Sequence, residues 1–499
     1  MNCFIKRGVV VGCLLLVGLV GAKEWDILTD QRSIRDVVYQ DGRFWCATEG
    51  GLSVFDPNDG QFDLLTMIDG LAGVGIGLIT QDASGGLWLG FDNRMIQRWL
   101  PGSGATHTVS SLAGEAGLSA INSIQLDQRG IYVGTNRGIS RLLFVAEHDR
   151  WVWFEEYRRL GSGIEDQPVR DILLLDSALW AATPLGVAIG NLTAGSPLSS
   201  SDWRVHNTNH GLPSVDVRSL ARYRGEILAA TGGGLAAWNG SSWRRIDIRT
   251  DIVRVEVQGD TLWAVGRNGL WYWNGSVLER IGAARPNLSA GLKDSSGEVW
   301  ISSLRTSGNV GGLSRLVDGA WVDHLPNGPS TNMVWAFAFT PDGDLLLTGG
   351  RQGGEYGLSR RTGLTWRNWV GPQLTERIFS APTRDIALDY DGGIWVGSFF
   401  GGIARFAPDG TYATFDHSAE TGARLVGYGF SGAEATLVLA PAVETDPLGN
   451  VWVVNRGASN GRVLVCIPRD FIQDPRPEKE WVYFHRSQFG NYPHFDLIA

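Results

Sequence analysis

Residues Gly392–Gly410 read GGIWVGSFFGGIARFAPDG, and the reading of this stretch decides the fold. A tryptophan inside an apolar run is followed by small residues, a glycine pair and a second apolar alternation. The same order returns as FWCAT and GGLSVFDP (44–57), as IYVGTNRGISRL (131–142), as LWAVGRNGLWYW (262–273) and as EVWISSLRTSGNVGGLSRL (298–316). Repeats of a fixed unit outrank any local signal, because missing them misassigns the whole architecture.

Aligning the copies on the residue before the small stretch gives the anchors Trp45, Trp88, Tyr132, Trp180, Leu228, Trp263, Trp300, Leu346, Trp395 and Trp452, spaced 35 to 57 residues apart. That period suits a four-stranded propeller blade and is too long for a leucine-rich repeat. Within one copy, TRDIALDY (383–390) alternates apolar and polar residues as a half-buried strand does. Asp391-Gly392-Gly393 is a hairpin turn, where Asp and Gly tolerate positive φ. IWVGS is the second strand, Gly401-Gly402 ends the next loop, IARF is the third strand and TYATF the fourth. A single such sheet has two faces to hide, so copies must stack on one another. A buried indole supplies ~150–250 Å² of packing area, which at ~25 cal/mol per Å² is roughly 4–6 kcal/mol before ordering entropy is subtracted.

The remaining composition agrees. The chain has 499 residues with Gly at 67 and Trp at 21, a pattern for many short strands and tight turns. A net charge of −9 gives no reason to expect a nucleic acid. Lys6 and Arg7 precede an apolar run to Val20, and Val20-Gly21-Ala22 has the small residues of a cleavage site, so residues 1–22 read as a signal peptide. A lipoprotein signal at Cys13 would leave too short an apolar stretch. No other segment has the roughly 18 apolar residues of a membrane span, which predicts an exported chain, periplasmic or at the cell surface. Cys46 and Cys466 then remain, both in apolar runs, and are expected to be buried and unpaired; no CxxC is present.

The tandem copies resemble the two-component regulator propeller family, whose blades follow a pattern like D-x-x-G-x-[IL]-W-[IV]-G-T-x-x-G-[IL]. The resemblance spans about residues 25 to 470, with Leu228 and Leu346 in place of the Trp and Pro184 in the fourth copy's loop. WDILTD (25–30), ATEGGLSVFDP (47–57) and MIDGLAGVGIGLITQD (67–82) also look like the propeller of a periplasmic type IX secretion component. Propellers of seven blades are common in the family. The resemblance therefore implies an all-β chain with a first β-propeller over 23–326 and the first blades of a second, truncated one over 327–499; a single ten-bladed ring is the alternative. YPHFDLIA (492–499) reads as the first strand of another copy.

No catalytic motif is present. There is no HExxH, GxSxG or Walker loop, and the glycines at 73, 75 and 77 precede a strand rather than a helix. His206 and His210 are four apart but lie in a loop-like segment, so no metal is expected there. Asp389 and Asp391 read as turn residues rather than a calcium site, since Asp342-Gly343 makes the same turn without a second acid. Streptogramin lyases share the tryptophan and glycine rhythm, but this chain repeats no histidine at a blade-loop position. We expect no enzyme, no metal and no cofactor.

One constellation points to binding. Arg35, Arg170, Arg218, Arg254 and Arg384 recur at the start of the first strand of their copies, three of them in pairs with Asp36, Asp171 and Asp385. Strand alternation would send Arg and Asp to opposite sides. If the copies stack in register, the arginines line the rim of a central channel and suit a carboxylate, phosphate or sulfate; the alternative is that each pairs with an acid of the next blade and fastens the ring. The loops Leu304–Gly312, Gly349–Gly357 and Val454–Gly461 are long and open at the same end. Tyr356, Phe399 and Phe400 are the aromatic candidates there for a sugar or peptide. These features predict an exported, non-catalytic binding or sensor scaffold that takes a glycan, peptide or protein. A secretion- or surface-assembly propeller is the alternative, and a lyase-like enzyme is the least favoured.

Overall fold

The computed structural model describes residues 26–490 except 110–118, 176, 194, 248–251, 307–308, 351–356, 371–381, 419–423, 429–436 and 475–478. The expected signal peptide, Tyr356 and YPHFDLIA lie outside the described residues. The described chain is all-β: ten antiparallel sheets, each of four strands in chain order. The copy read above becomes Thr383–Leu388, Ile394–Ser398, Ile403–Phe406 and Tyr412–Phe415, as the alternation and turns predict.

Neighbouring sheets meet through one apolar cluster per seam. Trp45 and Val54 of the first sheet pack with Ile79 and Trp99 of the second. Further seams follow between the second and third, third and fourth, fourth and fifth, fifth and sixth, and sixth and seventh sheets. The seventh sheet then meets the first: Ala290, Leu292, Trp300 and Leu313 pack with Ile34, Phe44 and Phe55. The eighth, ninth and tenth sheets share two seams of their own. This is propeller-like stacking, with the first strand of each sheet innermost.

Nine of the ten anchors are buried, and Trp395 is fully so. Trp452 is only half-buried; among the described residues no sheet beyond the tenth packs on it. The aspartate six residues before the anchor explains why the motif holds Asp and Trp at fixed spacing. Asp389 accepts from the Trp395 Nε1–H (2.9 Å), the Gly393 N–H (2.7 Å) and the Arg405 Nε–H (2.7 Å). Asp82 does the same for Trp88 and Arg98, and Asp294 and Asp446 hold Trp300 and Trp452. Where the sixth residue back is Tyr39, Leu174 or Val257, the buried indole N–H of Trp45, Trp180 or Trp263 has no partner among the described residues. The turn thus carries a side-chain hub that aims the indole into the seam.

The glycine opening the third strand is equally constrained. Gly402 has φ +81°, and a Cβ there would lie 2.2 Å from the Phe415 carbonyl, so any other residue pushes the fourth strand away. Gly138 and Gly186 stand in the same relation to Tyr157 and His206.

Burial pushes the Asp389 carboxyl up, but the Arg405 guanidinium and the N–H donors outweigh it and hold it below the usual range. A carboxyl with a depressed folded-state pKa stabilises the fold above its unfolded value, and that stability is lost as pH falls through the carboxylate range. Asp389→Asn is expected to lower stability by about 1–3 kcal/mol at neutral pH and to flatten the acid limb of a melting-temperature profile. An unchanged acid limb would show that Asp389 does not act through its charge.

Candidate functional site

In eight of the ten sheets the pairing of the first two strands shifts by one residue near the start of the inner strand. A bulge leaves one extra residue unpaired and breaks the side-chain alternation. Arg35, Arg218 and Arg384 are such extra residues, and Arg170 holds the equivalent place just before its strand. The expectation that Arg and Asp part to opposite sides is therefore corrected. Arg35 and Asp36, and likewise Arg170 and Asp171, line one cavity of about 370 Å³ between the inner strands of the first six sheets.

Arg254 is displaced from the alignment by one residue. Val253 is the bulge residue and Arg254 takes the position that Asp36 and Asp171 fill elsewhere. Its guanidinium reaches across the cavity to Asp36 of the first sheet (2.6 Å) and binds Glu256 of its own strand (2.6 Å). Arg384 belongs to the ninth sheet and does not line this cavity. Four of the five arginines come together; the fifth does not, because it lies beyond the seventh sheet's seam with the first.

Each cavity arginine has carboxylate partners. Arg35 binds Asp92 of the second sheet (2.7 Å) and Glu49 (3.3 Å). Asp216, just before the fifth inner strand, is shared by Arg170 and Arg218. Burial pushes Asp171 and Glu256 up, only partly relieved by N–H donors and Arg254. The carboxylates of the R-D pairs fasten sheets together. Asp36 accepts from the Ile79 N–H (3.0 Å), Asp171 from Leu220 (2.8 Å) and Asp385 from Val443 (2.9 Å), each on the next sheet's inner strand. Sequence reasoning missed this role; the signal was the Asp immediately after the arginine, legible only once the bulge is known.

The other candidates fall elsewhere. Phe399 is half-buried and Phe400 exposed, both in the loop after Ile394–Ser398, and Arg384 stands over Phe399 with Trp335 on its other contact. Trp335 escaped the sequence reading because it reads as one more core tryptophan. The His206 and His210 rings stack at 5.0 Å. His206 accepts from the Trp243 indole (3.2 Å), and burial, with His210 and Arg204 nearby, pushes it down to about 4. His210 bonds Asn207 in a one-turn helix. Cys46 and Cys466 are both buried and unjoined. No helix among the described residues is long and apolar enough to cross a membrane.

No family model and no curated protein matches the chain. Solved structures do. PorZ, an essential bacterial surface component of the type-IX secretion system of Porphyromonas gingivalis, superposes with a TM-score of 0.71 at 16% identity, over 92% of this chain and 60% of that one. The chain thus spans about three fifths of the PorZ chain's length. The extracellular domain of a putative hybrid two-component system of B. thetaiotaomicron gives a TM-score of 0.43 at 16% identity, covering 92% and 71%. Streptogramin B lyase gives 0.39 at 13%, covering 55% and 91%. The first likeness supports the propeller-like fold.

Proposed function

We propose that this is an exported, non-catalytic propeller scaffold, periplasmic or at the cell surface. It recognises a glycan, peptide or protein at the end of the sheets where the inner strands begin. Residues 23–326 form its first propeller of about seven blades, and 327–499 the first blades of a second. The observation that carries the reading is the convergence of Arg35, Arg170, Arg218 and Arg254 on one polar cavity. Ligand sites on such scaffolds sit where rigid strands present loops and charged side chains at one end. Arg170→Ala with Arg218→Ala is expected to weaken citrate binding, measured by calorimetry, at least fivefold. Unchanged citrate affinity with a lower melting temperature would leave these arginines as ring fasteners and remove the cavity from the binding face.

A secretion- or surface-assembly role, docking protein partners, is the second reading. The superposition on PorZ over 92% of the chain favours it.

A further inference from the structure

Asp36 and Asp171 hold the same place in the first and fourth inner strands, directly after Arg35 and Arg170, and both line the central cavity. Each gives one carboxylate oxygen to the next sheet. Asp36 Oδ2 accepts from the Ile79 N–H (3.0 Å), and Asp171 Oδ2 from the Leu220 N–H (2.8 Å) and the Ser219 hydroxyl (3.0 Å). The other oxygen differs. Asp36 Oδ1 accepts from the Val37 N–H (3.0 Å) and from the Arg254 guanidinium (2.6 Å). Asp171 Oδ1 accepts from the Ile172 N–H (2.8 Å), and among the described residues no cation stands within ion-pair distance of Asp171.

A carboxylate taken out of water is costly unless a cation meets it. Burial accordingly pushes Asp171 up, and Arg254, which contacts Asp36 and Glu256 instead, relieves it only in part. Arg170, the residue before it, presents the opposite charge. Its bonds to Asp216 and to the Val217 carbonyl both run from Nη1. The Nε and Nη2 N–H groups form the parallel pair that takes a carboxylate side-on. Consecutive residues of one wall thus offer a place for a cation and a fork for a carboxylate. We propose that the cavity takes a small zwitterion, an amino acid or a short peptide, with its ammonium on Asp171 Oδ1 and its carboxylate on Arg170. A cavity of about 370 Å³ has room for a molecule of that size, and Thr80, Asn122 and Gln125 line more of it with polar side chains. The proposal rests on the reading that this cavity is the binding face.

Calorimetry on the full chain with glutamine and dialanine, each beside its N-acetyl form and the amide of its α-carboxylate, tests it. The better-bound zwitterion is expected to bind at least tenfold tighter than either of its blocked forms, and its identity tells a free amino acid from a peptide. Asp171→Asn should bring that zwitterion down to the affinity of its N-acetyl form, and Arg170→Met down to that of its amide. Asp171 also ties two sheets together, so melting curves accompany the variants; the comparison of free and blocked probes on the parent chain needs no variant. Equal binding of the free and N-acetyl forms, or of the free and amide forms, would overturn the proposal. So would an unchanged ratio of free to N-acetyl affinity in Asp171→Asn, which leaves that carboxylate as a fastener. Citrate binding that is lost in the Arg170→Ala, Arg218→Ala variant, with neither zwitterion bound, ends this inference and leaves the cavity as the binding face. Binding of neither citrate nor a zwitterion ends both.

Discussion

Asp30→Ala is expected to cost about 3–5 kcal/mol, read as a fall in the urea midpoint followed by tryptophan fluorescence. Asp30, Arg32 and Arg305 form a buried ion cluster whose side chains are each under a tenth exposed. The carboxylate binds Arg32 Nε (2.9 Å) and Arg305. The same strap reaches the second sheet set: Arg32 donates to the Pro329 carbonyl (3.0 Å), and Asp30 exchanges backbone bonds with the Asn332 amide (2.6 and 2.9 Å). Removing one member of a buried ion pair leaves the other charge uncompensated, which is where the large cost arises. Burial alone would push the Asp30 carboxyl up, but Arg32 and Arg305 overcome it and hold it below the usual range. Its contribution is therefore present above the ordinary carboxylate pKa of about 3.9 and is lost as pH falls. Asp30→Ala should accordingly be less pH-sensitive than the parent on the acid side. A loss below about 1 kcal/mol would mean that the strap does not hold the two sheet sets together.

Trp300→Ala is expected to cost about 3–5 kcal/mol, the range for emptying a buried aromatic site. Trp300 sits in the seam between the seventh and first sheets, 4.7 Å from Phe44 and 5.6 Å from Phe55 by ring centres, with its indole N–H on Asp294 (2.9 Å). Its counterpart Trp452 also keeps the aspartate bond (2.9 Å) but is only half-buried, with no further sheet against it among the described residues. Trp452→Ala should therefore cost less than half as much. The comparison separates burial in a seam from the hydrogen bond common to both. Equal losses would show that the seventh sheet's packing on the first contributes nothing beyond that local bond, and would undo the proposal that residues 23–326 close on themselves.

How far the sequence reaches is visible at particular residues. The hairpin at Asp391-Gly392, the strand Ile394–Ser398 and the glycine at 402 could be read off because their causes are local. They follow from period-two alternation, tolerance of positive φ and the need for a residue without a Cβ beside a carbonyl. The burial of nine anchors followed from repetition, since a sheet written ten times can hide its indoles only against its copies. Arg254 shows the limit. Its place in the alignment was off by one because a bulge inserts a residue without any mark in the local pattern, and its partner Asp36 lies 218 residues away.

Amino-acid order alone settled the unit, its strands and its turns, because turn chemistry and side-chain period act over a few residues. Tertiary structure alone decided which sheet follows the seventh in space, which arginines meet carboxylates and which meets aromatic rings. Those outcomes depend on distances between segments far apart in the chain, and charge and stacking act only once packing has brought such segments together.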